Sequence, residues 1–247
     1  MCDYAQIPPA SVSDCFVYQP GNWQQDVYTL PLGALVVTAV SRMDPPSTPR
    51  RPFAKEAATE IRNPSRHPGI FAASLAGAFM VPVFGSIYTD NPNFSAARHL
   101  RGLAHSHLWT ELFTSSAKVF FGRKRPFYDT VLRRGEARRD DRFSFFSGHS
   151  SHSFALATYV SQLAAYELKS SQLAAVYSGA LYSIAAWVGA SRAIDKQHNW
   201  SDVLTGAAVG STVGYLMFWQ VVESNDGSIR VSIAPGKRAI SLEMKTD

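Results

Sequence analysis

The sequence predicts an all-α protein, a helical bundle with a small C-terminal β-hairpin, and three observations carry that prediction. The chain has 247 residues, 46% of them hydrophobic and 12% aromatic, enough to bury one sizeable core. Long stretches lack the two-residue alternation of half-buried strands, and neither a βαβ pattern nor an internal repeat interrupts them. Only the tail changes period, where Ile229, Val231 and Ile233, then Pro235-Gly236, then Ile240, Leu242 and Met244 read as two strands about a turn.

In chain order, residues 1–27 look irregular and 29–41 form a short apolar helix. Pro45, Pro46, Pro49 and Pro52 then exclude regular helix over 43–52. Helices are expected over 54–62, 70–88, about 97–121, 150–168, 171–190 and 200–222, with the hairpin over 228–244. The chain thus divides into an irregular N-terminal segment with one apolar helix and a Pro-rich connection (1–52), a helical core (53–227) and a β-like tail (228–247).

With 17% charged residues, 16 Gly, 14 Pro and two Cys, the chain is no disordered protein, collagen, coiled coil or disulfide scaffold. Cys2 and Cys15 are either unpaired or bridged to each other, and they give no zinc signature. The net charge is +5, and most of it lies between residues 122 and 142, where eight Lys and Arg face four Asp and Glu. So local an excess points to a small anionic ligand rather than to nucleic acid.

Four stretches without Asp, Glu, Lys or Arg are long enough to span a bilayer: 68–89, 143–166, 170–191 and 203–222. The second carries Ser144, Ser147, His149, Ser150, Ser151, His152 and Ser153, too polar for hydrocarbon unless it lines a wet cavity. A mean hydropathy of −0.09 agrees, so the reading is a soluble or peripheral bundle with buried small-residue helices. A polytopic inner-membrane protein is the alternative. No apolar leader core follows Met1. The expectation is a protein of the periplasm, or peripheral on the outer face of a bacterial membrane, after removal of a leader. Cys2 as the first mature residue would suit a lipoprotein.

Three pieces carry chemistry. Lys118 and Arg125 are seven apart, about two helical turns, so one helix can present both to a single anion, and Pro126 ends that helix. Phe146-Ser147-Gly148-His149 opens an apolar helix. Ser147 or Ser150 can cap it, Gly148 admits close approach, and His149 stands beside an N-terminus suited to phosphate. Ser191-Arg192 is followed by His198 and then Asp202, which are four apart at the start of the next helix. Arg192 lies six residues before His198, the wrong angle on a continuous helix, so a loop must return it. A carboxylate beside imidazole can fix the tautomer and leave the other nitrogen free to attack.

Together these pieces resemble the signature of the type 2 phosphatidic acid phosphatase superfamily, which includes bacterial class A acid phosphatases and vanadium haloperoxidases. Lys118 to Pro126 matches its first part, Ser147-Gly148-His149 most of its second, and Ser191 to Asp202 its third. Phe146 stands where the family usually has Pro. The resemblance implies that family's helical bundle and a metal-independent phosphatase acting on phosphomonoesters or lipid phosphates and diphosphates, with no cofactor. It implies that Lys118, Arg125, Ser147, Gly148 and Arg192 hold the phosphoryl group. His198 is then the nucleophile, Asp202 orients it, and His149 in its charged form is the acid. A vanadate-dependent haloperoxidase and a catalytically silent anion- or lipid-binding protein are the alternatives.

Among the remaining candidates, His105, His107 and His152 read mainly as polar helix surface. The arginines from Arg133 to Arg142 read as a solvated loop or a guide for anionic headgroups. In membrane relatives that loop faces outside, where basic excess opposes the positive-inside rule. A membrane surface is the expected partner beyond the substrate.

Overall fold

In the computed structural model, residues 16–17, 22–50, 53, 94–168, 170–223, 229–233 and 240–244 are described. The helices expected over 54–62 and 70–88, and both cysteines, lie outside the described residues. Helix α1 spans Trp23–Ser41 and begins earlier than its apolar run because Asn22 caps it, accepting a bond from the Gln24 N–H at 3.1 Å. Its first turn is exposed at Trp23 and Gln24 but turns one carboxylate inward. Asp26 is buried and accepts bonds from His105 Nε2 at 2.6 Å and Arg101 Nε at 2.8 Å, both on the next described helix.

That helix, α2, spans Ala96–Phe121 and stops at Gly122, whose φ of +55° is left-handed backbone open to glycine. Lys118 is therefore in its last turn and Arg125 lies beyond it, so no single helix carries both. The segment after α2 folds into α3 (Tyr128–Arg133) and a 3-10 turn (Arg139–Arg142), neither expected from the sequence. Two arginines in it hold chain rather than solvent: Arg139 Nη2 donates to the Met43 carbonyl and Arg142 Nη2 to the Pro46 carbonyl, each at 2.5 Å.

Three long helices complete the bundle: α4 (Gly148–Glu167), α5 (Ser171–Ile194) and α6 (Trp200–Glu223). Ser147 caps α4 and Ser170 caps α5. Helix α4 is central, packed mainly on α6 and α5 and also on α2, while α1 lies on α2. Leu103, Leu156, Tyr159, Val160, Leu163 and Phe218 form the buried apolar centre.

Gly206, Gly210 and Gly214, one per turn of α6, set how closely α4 and α6 approach. A Cβ at Gly206 would lie 2.7 Å from the Ser147 carbonyl oxygen, and Cβ atoms at Gly210 and Gly214 would overlap the carbonyls of Ser151 and Ala155. Backbone thus meets backbone along the whole contact. In the tail, β2 (Ile229–Ile233) and β3 (Ile240–Met244) pair antiparallel with Ile229 opposite Met244, and β1 (Phe16–Val17) pairs with β2.

The chain is an all-α bundle in its described core, as the sequence predicts. Helix α5 is less buried than expected. Leu173, Val176, Ile184 and Trp187 are exposed, with Val176 at 72%.

Candidate active site

Because these helices alternate in direction, the C-terminal ends of α2 and α5 and the N-terminal ends of α4 and α6 meet at one end of the bundle. Two positive helix-dipole ends converge there with the three signature segments. Helix α4 is pinned to α6 at this end: the Ser147 N–H donates to the Asp202 carbonyl at 3.1 Å, and Ser150 Oγ donates to the Val203 carbonyl at 2.7 Å.

The turn between α5 and α6 folds back as its spacing requires. The Gln197 and His198 N–H groups both donate to the Arg192 carbonyl, at 3.0 and 3.1 Å, with Lys196 at φ +58° making the reversal. His198 and Arg192 are thereby brought to the same end of the bundle. His198 is 4% exposed, and its Nδ1 lies 2.8 Å from the Ser144 carbonyl oxygen but 3.7 Å from Asp202 Oδ2. A carbonyl only accepts, so the hydrogen is on Nδ1 and the lone pair is on Nε2. The tautomer is fixed by a backbone group, with the carboxylate one step behind it.

Asp202 is fully buried and held from several sides. Arg123 Nη1 donates to its Oδ1 at 2.6 Å; Ser144 Oγ, the Asn199 N–H and Asn199 Nδ2 reach its Oδ2 at 2.5, 3.0 and 3.2 Å. Burial pushes this carboxyl up, but the nearby His198 imidazole, the bond from Ser144 and the charge of Arg123 prevail and keep it below the usual range. Burial lowers His198 to about 4, reinforced by Arg125 and Lys118 and opposed by Asp202. At neutral pH it is an uncharged imidazole with Nε2 available.

Arg192 is 6% exposed, and its Nε and Nη1 have no hydrogen-bond partner among the described residues. Buried donors of this kind are ordinarily hydrogen-bonded. Lys118 and Arg125 line a cavity of about 280 Å³ together with Glu111, Ser115, Asp140 and Phe143. Arg125 is directed by Asp140, whose carbonyl accepts from Nε at 3.2 Å, and by Gln197, whose Oε1 accepts from Nη1 at 3.0 Å. A Cβ at Gly148 would stand 3.5 Å from Lys118 Nζ, so the ammonium sits against the start of α4. Ser147 is fully buried, and its Oγ accepts from the Ser150 N–H at 3.5 Å as the helix cap.

His149 follows on the first turn of α4. Burial, then the charges of Arg192, His198, Lys118 and Arg125, lower it to about 3, so it is neutral in the anion-free site. The sequence reading makes it charged. The difference comes first from burial, which disfavours the charged ring, and then from the surrounding cations, whose effect a bound anion would offset.

Several residues of the site escape the sequence reading. Arg123 and Ser144 belong to it, and Ser144 had a signal, since a lone hydroxyl in the aromatic run 143–146 needs a partner once buried. The histidines read as surface are wholly or partly buried: His105 is fully buried, and His107 and His152 are half-buried, with His152 bonding Glu111 Oε2 at 2.8 Å. Phe146 is buried beside Phe145, whose ring contacts Phe121 at 4.8 Å.

The three signature segments, with their cations and histidines, meet at one end of an all-α bundle. Residues 100–226 match the sequence model of the PAP2 superfamily, and the chain belongs to that superfamily. It is 34% identical over 146 residues to a PA-phosphatase related-family protein of Dictyostelium discoideum, covering 56% of this chain and 54% of that one. It is 29% identical over 199 residues to the lipid A 1-phosphatase of Porphyromonas gingivalis, covering 65% of this chain and 41% of that one. It is 34% identical over 96 residues to rat phospholipid phosphatase 1, covering 35% and 34%. The chain thus spans about half or less of the length of these relatives. No solved structure matches it.

Proposed function

We propose that this protein is a phosphatase that hydrolyses phosphomonoesters, lipid phosphates among them, through a phosphohistidine on His198 and without a metal ion. The observation that carries the reading is Arg192, a buried guanidinium with two donors that have no partner among the described residues, at the same end of the bundle as Lys118, Arg125 and both histidines. The names of the relatives, which include a lipid A phosphatase and a phospholipid phosphatase, support a lipid phosphate as substrate.

Phosphoryl transfer asks chiefly for charge placed around the equatorial oxygens and for an in-line nucleophile. Lys118, Arg125, Arg192 and the α4 N-terminus at Gly148 supply the charge. His198 Nε2 attacks phosphorus while the bond to the leaving oxygen breaks. Asp202 and the Ser144 carbonyl stabilise the imidazole as it becomes positive. His149 delivers a proton to the leaving oxygen. A bound phosphate offsets the cations that depress His149 and lets it take up that proton, directly or from a monoprotonated ester. The same residue, now neutral, removes a proton from the water that attacks the phosphohistidine. Phosphate leaves and His198 is restored.

Lipid contact fits the outer surface. Helix α5 is long and apolar enough to cross a membrane, and only 22% of its most apolar stretch is buried. An exposed apolar face this long marks an interaction site rather than a solvated one.

The test is phosphate release from soluble esters and lipid phosphates in the presence of EDTA, with orthovanadate as a competitive inhibitor. His198→Ala should lose turnover while its melting temperature stays within a few degrees of wild type. Near-wild-type release by that variant, or a strict need for an added divalent metal, would sink the mechanism.

A further inference from the structure

The mechanism gives no task to the carboxylates of Glu111 and Asp140 in the cavity wall, and Glu111 is the one with a side chain bonded to each oxygen. Glu111 stands on the same α2 face as Lys118, in the wall of the cavity that Lys118 and Arg125 also line. Its Oε2 accepts from His152 Nε2 at 2.8 Å and its Oε1 accepts from Ser115 Oγ at 2.5 Å. His152 is backed in turn by His107, Nδ1 to Nδ1 at 2.8 Å with the rings stacked 5.1 Å apart. Burial would raise this carboxyl, but the bonds from His152 and Ser115 and the charges of His152 and Lys118 hold it near 2. Glu111 is therefore an anion, oriented from behind by two side chains. Each carboxylate oxygen accepts two bonds, so each retains capacity for a further donor.

An ionised carboxylate next to a phosphate site opposes phosphate binding, because like charges repel. That loss is offset when the substrate itself brings a hydrogen-bond donor to the carboxylate, and esters without such a donor are then selected against. The cavity suits a small polar moiety. At about 280 Å³ it lies just below the usual range of ligand sites, and among the described residues Ser41, Ser115, Glu111, Arg139 and Asp140 line it with the apolar Val119 and Phe143.

We propose that Glu111, held by His152 and Ser115, is a specificity-determining residue that accepts a hydrogen bond from a hydroxyl neighbouring the phosphoester, so that the site selects phosphomonoesters of polyhydroxylated alcohols. This rests on the phosphatase reading above. A hydrogen bond to a charged acceptor corresponds to roughly 10- to 100-fold in discrimination.

The experiment measures kcat/KM in detergent micelles for 1-acylglycerol 3-phosphate and its 2-deoxy analogue, using the full chain and the variants Glu111→Gln and Glu111→Ala. Wild type should favour the hydroxylated ester at least tenfold. The ratio should fall severalfold in Glu111→Gln, where the acceptor stays and the charge goes, and come within about twofold of one in Glu111→Ala. A wild-type ratio near one overturns the proposal without any variant, which covers the case of a variant that does not fold. A ratio preserved in both variants also overturns it. Release from neither ester by wild type would bring down the phosphatase reading and this inference together, whereas equal release from both removes the specificity alone.

Discussion

His149 and His198 sit within one electrostatic field yet need opposite protonation states, and the leaving group separates their roles. A nitrophenolate departs with little protonation, whereas an alkoxide needs a proton in the transition state. His149→Ala should therefore slow phosphorylation by alkyl phosphates roughly 10²- to 10⁴-fold more than by nitrophenyl phosphate. On nitrophenyl phosphate the variant should show a burst of nitrophenol followed by slow turnover, because hydrolysis of the phosphohistidine lacks its base. Equal losses on both substrates in single-turnover measurements, with no burst, would make His149 structural. The pH profile follows from the same two residues. His198, lowered to about 4, must be neutral to attack, so kcat/KM falls as pH drops through that value. His149, lowered to about 3 in the free site, carries no proton there, so the proton arrives with the ester, whose second pKa is near 6. For alkyl phosphates kcat/KM should peak between about 4 and 6 and decline above. A rate still rising at pH 8 would contradict this assignment.

Among the elements, the contact between α4 and α6 decides whether the site exists, because it joins the second and third signature segments. The Ser147 N–H meets the Asp202 carbonyl only if the two helices approach at backbone distance. Gly210→Ala places a methyl group on the Ser151 carbonyl, and main chain cannot turn aside as a side chain can. Overpacking of this kind costs about 1–3 kcal/mol, or several degrees of melting temperature in a chain this long. Gly179→Ala on α5 is the control, since no atom lies within 4 Å of its added Cβ and alanine is the better helix former. It should leave stability unchanged or slightly raised. Comparable melting temperatures for the two variants would show that the helices do not need glycine at their contact.

At the scale of the molecule, a mean hydropathy near zero is an average of two populations. Charged residues gather around the α2 to α4 connection, while α1 and α5 expose Trp23, Val27, Leu32, Leu35, Val176 and Trp187. Averaging over the chain hides the faces, which is why the sequence reading favours buried small-residue helices for a segment whose outer side is open. The chain should float with liposomes in a density gradient, and Val176→Gln with Trp187→Gln should shift it towards the soluble fraction while melting temperature changes little. Flotation indistinguishable between wild type and the double variant would show that this face is not what meets lipid.

The sequence by itself determined the family and the helical class, and it named the three segments that the fold brings to one end of the bundle. Those depend on local chemistry and spacing: Gly148 admits close approach, His198 and Asp202 fall one turn apart, and alternating helices return their ends to the same side. Only the tertiary structure decided what holds these groups. That His198 is oriented by the Ser144 carbonyl, that Arg123 pairs with Asp202 across 79 residues, and that His152 supports Glu111 across 41 are contacts between distant segments. No local period records such contacts. Burial then set protonation, since His149 is lowered first by its removal from water and then by the cations the fold brings around it, and a sequence lists those residues without depth or distance.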